Sequence, residues 1–235
     1  MMRPSKPHSN SKRRFRLAGG GAFAIDGDMG QITYIHEAST SAIADWLEER
    51  LGAALAASDS RVALTIPGGS TPFPILADLV TRDLDWSRLD FWPNDDRIVP
   101  EDHEASNTGK MRALLEPVGA SVIGLEEDSE PPHFAITWLG MGPDGHTASL
   151  FPNTDPQVYD PEKVRRLTPD PLPAHAPFDR ITFTMPALLN ADEILFTLGG
   201  SDEKRAVFEA AARGENDLPV GRVIGAARQP VTVFT

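Results

Sequence analysis

The chain has 235 residues, of which 40% are hydrophobic and 24% charged, the balance of a soluble globular protein with ample length to bury a core. It contains no cysteine, which excludes disulfide frameworks, thiol nucleophiles and thiolate zinc sites together. The net charge is −12, so a surface for nucleic acid or anionic lipid would have to be a local exception to the whole field. No apolar run reaches the ~18–20 residues that span a bilayer. The expected setting is cytoplasmic, with neither nucleic acid nor membrane as partner.

One basic exception lies at the start. Arg3, Lys6, Lys12, Arg13, Arg14 and Arg16 fall among the first sixteen residues without a single acid. The stretch has no helical apolar face and reads as a disordered extension over 1–29, with a targeting or basic-arm role as the alternative. Glycines at 19–21, 27 and 30 mark its join to a domain over 30–235.

From there strands and helices take turns. Residues 31–35 predict a strand. Ser39 and Thr40 offer caps for a helix over 41–57, in which Ile43, Trp46, Leu47, Leu51 and Leu55 recur at spacings of three and four. Arg61-Val-Ala-Leu-Thr-Ile66 is a β-branched strand that stops at a glycine turn. Pro72 then fits the first turn of a helix with Ile75, Leu76, Leu79 and Val80 on its buried face.

The alternation continues with a strand at 89–92, a helix at 104–115 and a strand at 134–139. Residues 152–179, rich in proline, read as a surface excursion. Strands follow at 180–184 and 193–198, a helix at 201–213, and an edge strand at 231–234. This order predicts a single α/β domain with a mostly parallel, doubly wound (Rossmann-like) sheet flanked by helices. Ligands of such sheets bind beyond the carboxyl ends of the strands.

Three glycine turns follow predicted strands, at 68–69, 140–142 and 199–200. In the first, Gly68, Gly69, Ser70 and Thr71 could cradle an anion at a helix N-terminus with bare amides and hydroxyls; a plain strand-to-helix turn is the structural alternative. It is no Walker A loop, since no Gly-Lys-Ser/Thr follows, and the dinucleotide spacing is absent. Arg97, in Asn94-Asp95-Asp96-Arg97, reads either as a structural ion pair or as a phosphate ligand.

Asp144 and His146 stand two residues apart in a glycine loop. That is the chemistry of a general base held in one tautomer by a carboxylate, or of a histidine capping a short helix. His103, His133 and His175 have no spacing to His146 that would complete a metal set. Lys204 lies in the first turn of its helix, where a cation opposes the dipole. Either an anion relieves it or Glu203 or Glu209 pairs with it. A serine-hydrolase reading fails, because no Gly-x-Ser-x-Gly elbow is present and Ser149 does not follow a strand.

Taken in order, Gly-Gly-Ser-Thr-Pro at 68–72, Asp-Asp-Arg-x-Val-Pro at 95–100 with Ser106-Asn107, Gly-Met-Gly-Pro-Asp-Gly-His-Thr-Ala-Ser-Leu-Phe-Pro at 140–152 and Arg-Ile-Thr at 180–182 resemble the 6-phosphogluconolactonase family. That family belongs with the glucosamine-6-phosphate deaminases and isomerases, and the resemblance runs from about residue 31 onward. It implies hydrolysis of 6-phospho-D-glucono-1,5-lactone to 6-phosphogluconate in the oxidative pentose phosphate pathway, with no metal or organic cofactor. It implies His146 as base, Asp144 as its orienting carboxylate, and a phosphate clamp of Gly68, Gly69, Ser70, Thr71, Arg97, Arg180 and Lys204. The only partner it implies is the phosphorylated sugar lactone, bound by a monomer or weak homodimer.

The deaminase branch usually continues Phe-Asn-Glu-Pro after the position of Ala148, and its glutamate relays protons. Phe151 stands there instead, and Arg97 stands where that branch usually has tyrosine. A deaminase-like enzyme and a sugar-phosphate-binding protein without turnover are the competing readings. Three features depart from the lactonase pattern. Asp96 replaces a glutamate, so the pairing of Arg97 is expected to be reset. The 124–134 segment lacks an extra helix, which leaves part of the pocket wall in question. The last strand is not followed by the family's usual short extension.

Overall fold

The structure, a computed structural model, describes the backbone of residues 16–18 and 22–25 and all of residues 31–173 and 176–235. Among the described residues, twelve strands and six α-helices follow in the order β1 (Arg16–Ala18), β2 (Ala22–Ile25), β3 (Ile32–Ile35), α1 (Thr40–Ala57), β4 (Val62–Ile66), α2 (Pro72–Leu79), β5 (Leu89–Pro93), β6 (Asp95–Arg97), α3 (Asn107–Leu115), β7 (Ser121–Val122), β8 (Phe134–Leu139), β9 (Val164–Leu167), β10 (Arg180–Phe183), α4 (Met185–Leu188), β11 (Ala191–Thr197), α5 (Asp202–Ala212), α6 (Pro219–Ala226) and β12 (Val231–Phe234). The extension expected over 1–29 lies mostly outside the described residues. Within it, β1 pairs antiparallel with β2, and β2 pairs antiparallel with β3.

The main sheet runs β1-β2-β3-β12-β11-β8-β4-β5-β7 and is parallel from β3 to β7. The chain goes outward from β4 through β5 to β7, then returns to β8 beside β4 and continues the other way. That reversal is the switch point at which such a sheet opens a crevice.

Both faces of the sheet are covered. Leu64 packs with Leu47, Leu51, Leu76 and Leu115 of α1, α2 and α3, while Ile194 and Phe196 pack with Phe208, Val220 and Val223 of α5 and α6. Each of these buried side chains contributes roughly 1.5–3 kcal/mol. This two-sided burial is why the strands read as continuous apolar runs and not as alternating ones.

Three expectations are corrected. Residues 231–234 do not form an edge: β12 pairs with both β3 and β11, and all four of its residues are buried. The edges belong to β1 and β7. The 152–179 excursion holds a strand, β9, which joins β10 and β6 in a small antiparallel sheet. Helix α3 starts at Asn107 and not at 104, because Ser106 Oγ accepts the Gly109 N–H at 3.0 Å and sets the cap.

Helix α6 was not anticipated, although Pro219 in its first turn and Val220, Val223 and Ile224 on one face carry the signal. Among the described residues no helix is long and apolar enough to cross a membrane.

Candidate active site

The carboxyl ends of β4, β8 and β11 lie side by side. The glycine turns after β4 and β8, with Thr197 at the end of β11, border a cavity of about 860 Å³. All nine side chains or loop residues singled out from the sequence line it: Gly68, Gly69, Ser70, Thr71, Arg97, Asp144, His146, Arg180 and Lys204. Residues 136 positions apart in the chain (Gly68 to Lys204) therefore meet in one place, by the topology of the sheet.

The glycine turn after β4 bends through Gly69, whose φ of +91° suits a residue without Cβ. Gly68 is bare for a different reason. A Cβ there would lie 2.3 Å from the Asn107 amide, which reaches across to the β6 strand. Asn107 Nδ2 donates to the Asp95 carbonyl at 2.9 Å, and its Oδ1 accepts from Arg97 Nη1 at 2.8 Å.

Arg97 makes no ion pair with Asp95 or Asp96, which removes the structural-pair reading. The Asp96 carboxylate instead turns to the N-terminus of α3. It accepts from the backbone N–H of Arg97 (2.8 Å), Asn107 (2.6 Å) and Thr108 (2.8 Å), and from the hydroxyls of Thr108 (2.7 Å) and Ser106 (3.2 Å). Its short side chain caps the helix and leaves the guanidinium to the cavity.

Arg180, on β10, is 4% exposed and donates to the carbonyls of Phe178 (2.5 Å) and Ala176 (2.8 Å). Burial first and the nearby Arg97 second hold its pKa below the ordinary arginine value. Lys204 sits in the first turn of α5, whose N-cap Ser201 accepts the Lys204 N–H at 3.3 Å. Among the described residues Lys204 has no ion pair, with Glu203 or Glu209 or any other acid. Three cations thus face one cavity of an acidic protein, and none is paired with a carboxylate within 4 Å.

In the same cavity, Asp144 Oδ1 lies 2.6 Å from His146 Nδ1. A carboxylate there accepts Nδ1–H and leaves the lone pair of Nε2 for solvent. The short 3-10 helix that follows, Pro152–Thr154, has Phe151 and not His146 at its N-cap position, so His146 does not cap it; Thr147 and Leu150 form an isolated bridge.

The loop is fixed by its own backbone, with Gly142 N–H donating to the His146 carbonyl at 2.9 Å. Gly142 also makes room for the imidazole: a Cβ there would fall 2.2 Å from His146 Cε1 and 2.6 Å from Asp144 Oδ1. Gly142→Ala should therefore displace the ring and lower kcat about 100-fold in steady-state assays of lactone hydrolysis, with little change in melting temperature.

Among the further residues lining the cavity, Asp95, Asn107, Ser149 and Phe151 had been given no site role from the sequence. Asn107 was signalled only by the Ser106-Asn107 pair. Phe151 packs its ring 5.0 Å from that of His146. Asp95 was signalled only as the first residue of the Asp-Asp-Arg-x-Val-Pro segment at 95–100. Burial pushes its carboxyl above the ordinary range, against the opposing pull of Ser149 and Arg97. The shortened segment does not border this cavity. Its residues 124–127 line a separate one of about 650 Å³ that also reaches Arg97.

The crevice at the switch point of this doubly wound sheet, where ligands of such sheets bind, is lined by three cations without carboxylate partners and by an imidazole engaged by a carboxylate. The family model described as glucosamine-6-phosphate isomerases/6-phosphogluconolactonase matches residues 36–130 and 111–233, and the chain belongs to that family.

The 6-phosphogluconolactonase of Pseudomonas aeruginosa is 35% identical over 207 residues, covering 78% of this chain and 84% of the relative. That of Neisseria meningitidis serogroup A is 32% identical over 212 residues, 80% of this chain and 87% of the relative. The crystal structure of a 6-phosphogluconolactonase from Shewanella baltica superposes with a TM-score of 0.71 at 26% identity, covering 86% of this chain and 96% of that one.

Proposed function

We propose that this chain hydrolyses 6-phospho-D-glucono-1,5-lactone to 6-phospho-D-gluconate, as a cytoplasmic step of the oxidative pentose phosphate pathway. The observation that carries the reading is the shared cavity. Unpaired Arg97, Arg180 and Lys204 occupy the same recess as an imidazole whose Nδ1 is already engaged by Asp144.

A lactone carbonyl is electrophilic without further activation, so the reaction needs a positioned water, a base and a fixed substrate. The reading therefore requires no metal or organic cofactor. The phosphate enters between the 68–71 amides, the N-terminus of α2 and the three cations, which fixes the far end of the sugar. Water attacks C1 as His146 Nε2 takes its proton, and the tetrahedral intermediate collapses with expulsion of the ring oxygen. The imidazolium that Asp144 stabilises then returns the proton to that oxygen.

Phe151 bears on the deaminase alternative. It places an apolar ring against His146, where a proton-relaying glutamate would be needed for ring opening and isomerisation. A pH-stat assay of lactone hydrolysis above the spontaneous rate tests the proposal, with ammonia release from glucosamine 6-phosphate as the competing readout.

Lys204→Ala should raise KM for the phosphorylated lactone about 10–100-fold, since a hydrogen bond to a charged group contributes ~1.5–3 kcal/mol. An unchanged KM would remove Lys204 from the clamp.

A further inference from the structure

The loop that carries His146 is anchored at its far end on the strand that carries Arg97. Ser149 Oγ donates to Asp95 Oδ2 at 2.5 Å, and Ser149 N–H donates to Thr182 Oγ1 at 3.2 Å. Asp95 and Thr182 are themselves register partners in the β6–β10 pair, which also supplies Arg97 and Arg180. One two-stranded platform therefore holds both clamp arginines and receives the end of the loop three residues after His146.

The loop is strained to reach it. Ala148, the residue before Ser149, has φ +50°, a conformation that costs a residue with a Cβ of order 1 kcal/mol and persists only where the surroundings impose it. Ser149 is 1% exposed. Asn107 extends the chain of contacts, with its amide on the Asp95 carbonyl and on the Arg97 guanidinium. A continuous path of hydrogen bonds thus runs from Arg97 through Asn107 and Asp95 to Ser149 and the loop of His146.

We propose that Asp95 and Ser149 are positioning residues, whose hydrogen bond sets the distance between the proposed base and the phosphate clamp. The proposal rests on the reading of His146 as that base. Neither residue exchanges a proton with substrate. Their bond fixes where the imidazole stands when the phosphate is gripped, so its loss costs turnover and not anion affinity.

The charged groups acting on the Asp95 carboxyl are Arg97 and Asp96 of its own strand and Arg180 of the partner strand. Burial remains the largest influence and raises this carboxyl, the two arginines opposing it and Asp96 adding to it, while the Ser149 hydroxyl donates to its Oδ2.

The test compares wild type, Ser149→Ala, Asp95→Asn and the double variant, with His146→Gln alongside. Each is measured for kcat and KM on the phosphorylated lactone, for the Kd of inorganic phosphate by calorimetry, and for melting temperature. Ser149→Ala is expected to lose about 10–100-fold in kcat while the phosphate Kd stays within about 3-fold. The double variant should be no slower than the worse single variant, as two ends of one bond require.

A fall in phosphate affinity equal to the fall in kcat would overturn the proposal, as would additive effects or a kcat within about 3-fold of wild type in the folded variants. Should Ser149→Ala fail to fold, Asp95→Asn, which conserves volume, carries the same comparison. Normal turnover in His146→Gln sinks the base assignment. An inactive His146→Gln beside a normal Ser149→Ala sinks only the positioning role.

Discussion

Replacing His146 with glutamine is expected to lower kcat for the phosphorylated lactone about 10²–10⁴-fold, the range that a positioned general base supplies, with KM changed by no more than about 3-fold. Glutamine keeps the polarity and most of the bulk of imidazole, and its amide can still meet Asp144. It has no lone pair of comparable basicity to offer water. The clamp lies on other elements, in the 68–71 turn, β6, β10 and α5, so the substrate should still be held at its phosphate.

Stopped-flow or pH-stat measurement against the spontaneous hydrolysis rate separates the two parameters. Retention of wild-type kcat would show that solvent attack proceeds without the imidazole. Asp144→Asn gives the companion result. The ring keeps a partner, but that partner's amide can hold the wrong tautomer, and the loss should fall within the same range.

The largest effect on stability is expected from Asp96→Ala. Asp96 is 6% exposed, and its carboxylate accepts from three backbone amides and two hydroxyls. Alanine leaves those donors buried without partners, each at ~1–3 kcal/mol, and removes the negative charge that complements the dipole of α3. The combined loss is about 3–5 kcal/mol, the range for deleting one side of a buried charged network.

For a chain of this size ~2–4 °C is lost per kcal/mol, so the melting temperature should drop by roughly 6–20 °C in scanning calorimetry. Asn107 and Arg97 are held through the same turn, and kcat/KM of the folded fraction should fall as well. A melting temperature within about 2 °C of wild type would mean that water replaces the carboxylate at the helix end.

Much of the architecture was legible in the sequence because periodicity reports burial. Leu47, Leu51 and Leu55 fix a helical face, and the β-branched run at 62–66 can only be a strand covered on both sides. What escaped were strands that owe nothing to side-chain pattern. β6 is Asp-Asp-Arg and β9 is Val-Arg-Arg-Leu; both exist because β10 offers main-chain partners on either side.

The position of β12 escaped for a related reason. Local sequence specifies a strand, but which neighbours it receives is decided by the whole topology.

The site divides along the same line. Gly68, Gly69, Asp144, His146 and Lys204 were visible because each stands in an unusual local context, a bare turn, a tight His–Asp spacing or a cation opposing a helix dipole. Asp95 and Ser149, 54 residues apart, stood inside two signature segments with no role of their own. Only their meeting makes them informative. Asp96 shows the opposite error, since its neighbour in sequence, Arg97, is not its ion-pair partner in space.

The placement of β12 bears on how the molecule comes to be folded. Its backbone fills the slot between β3, which precedes it in the chain by nearly the whole fold, and β11. Until residues 231–234 emerge, those two flanking strands expose rows of open amides and carbonyls and cannot be zipped together. Folding must therefore keep an adhesive gap at the middle of the sheet until both Ile32–Ile35 and Val231–Phe234 are present.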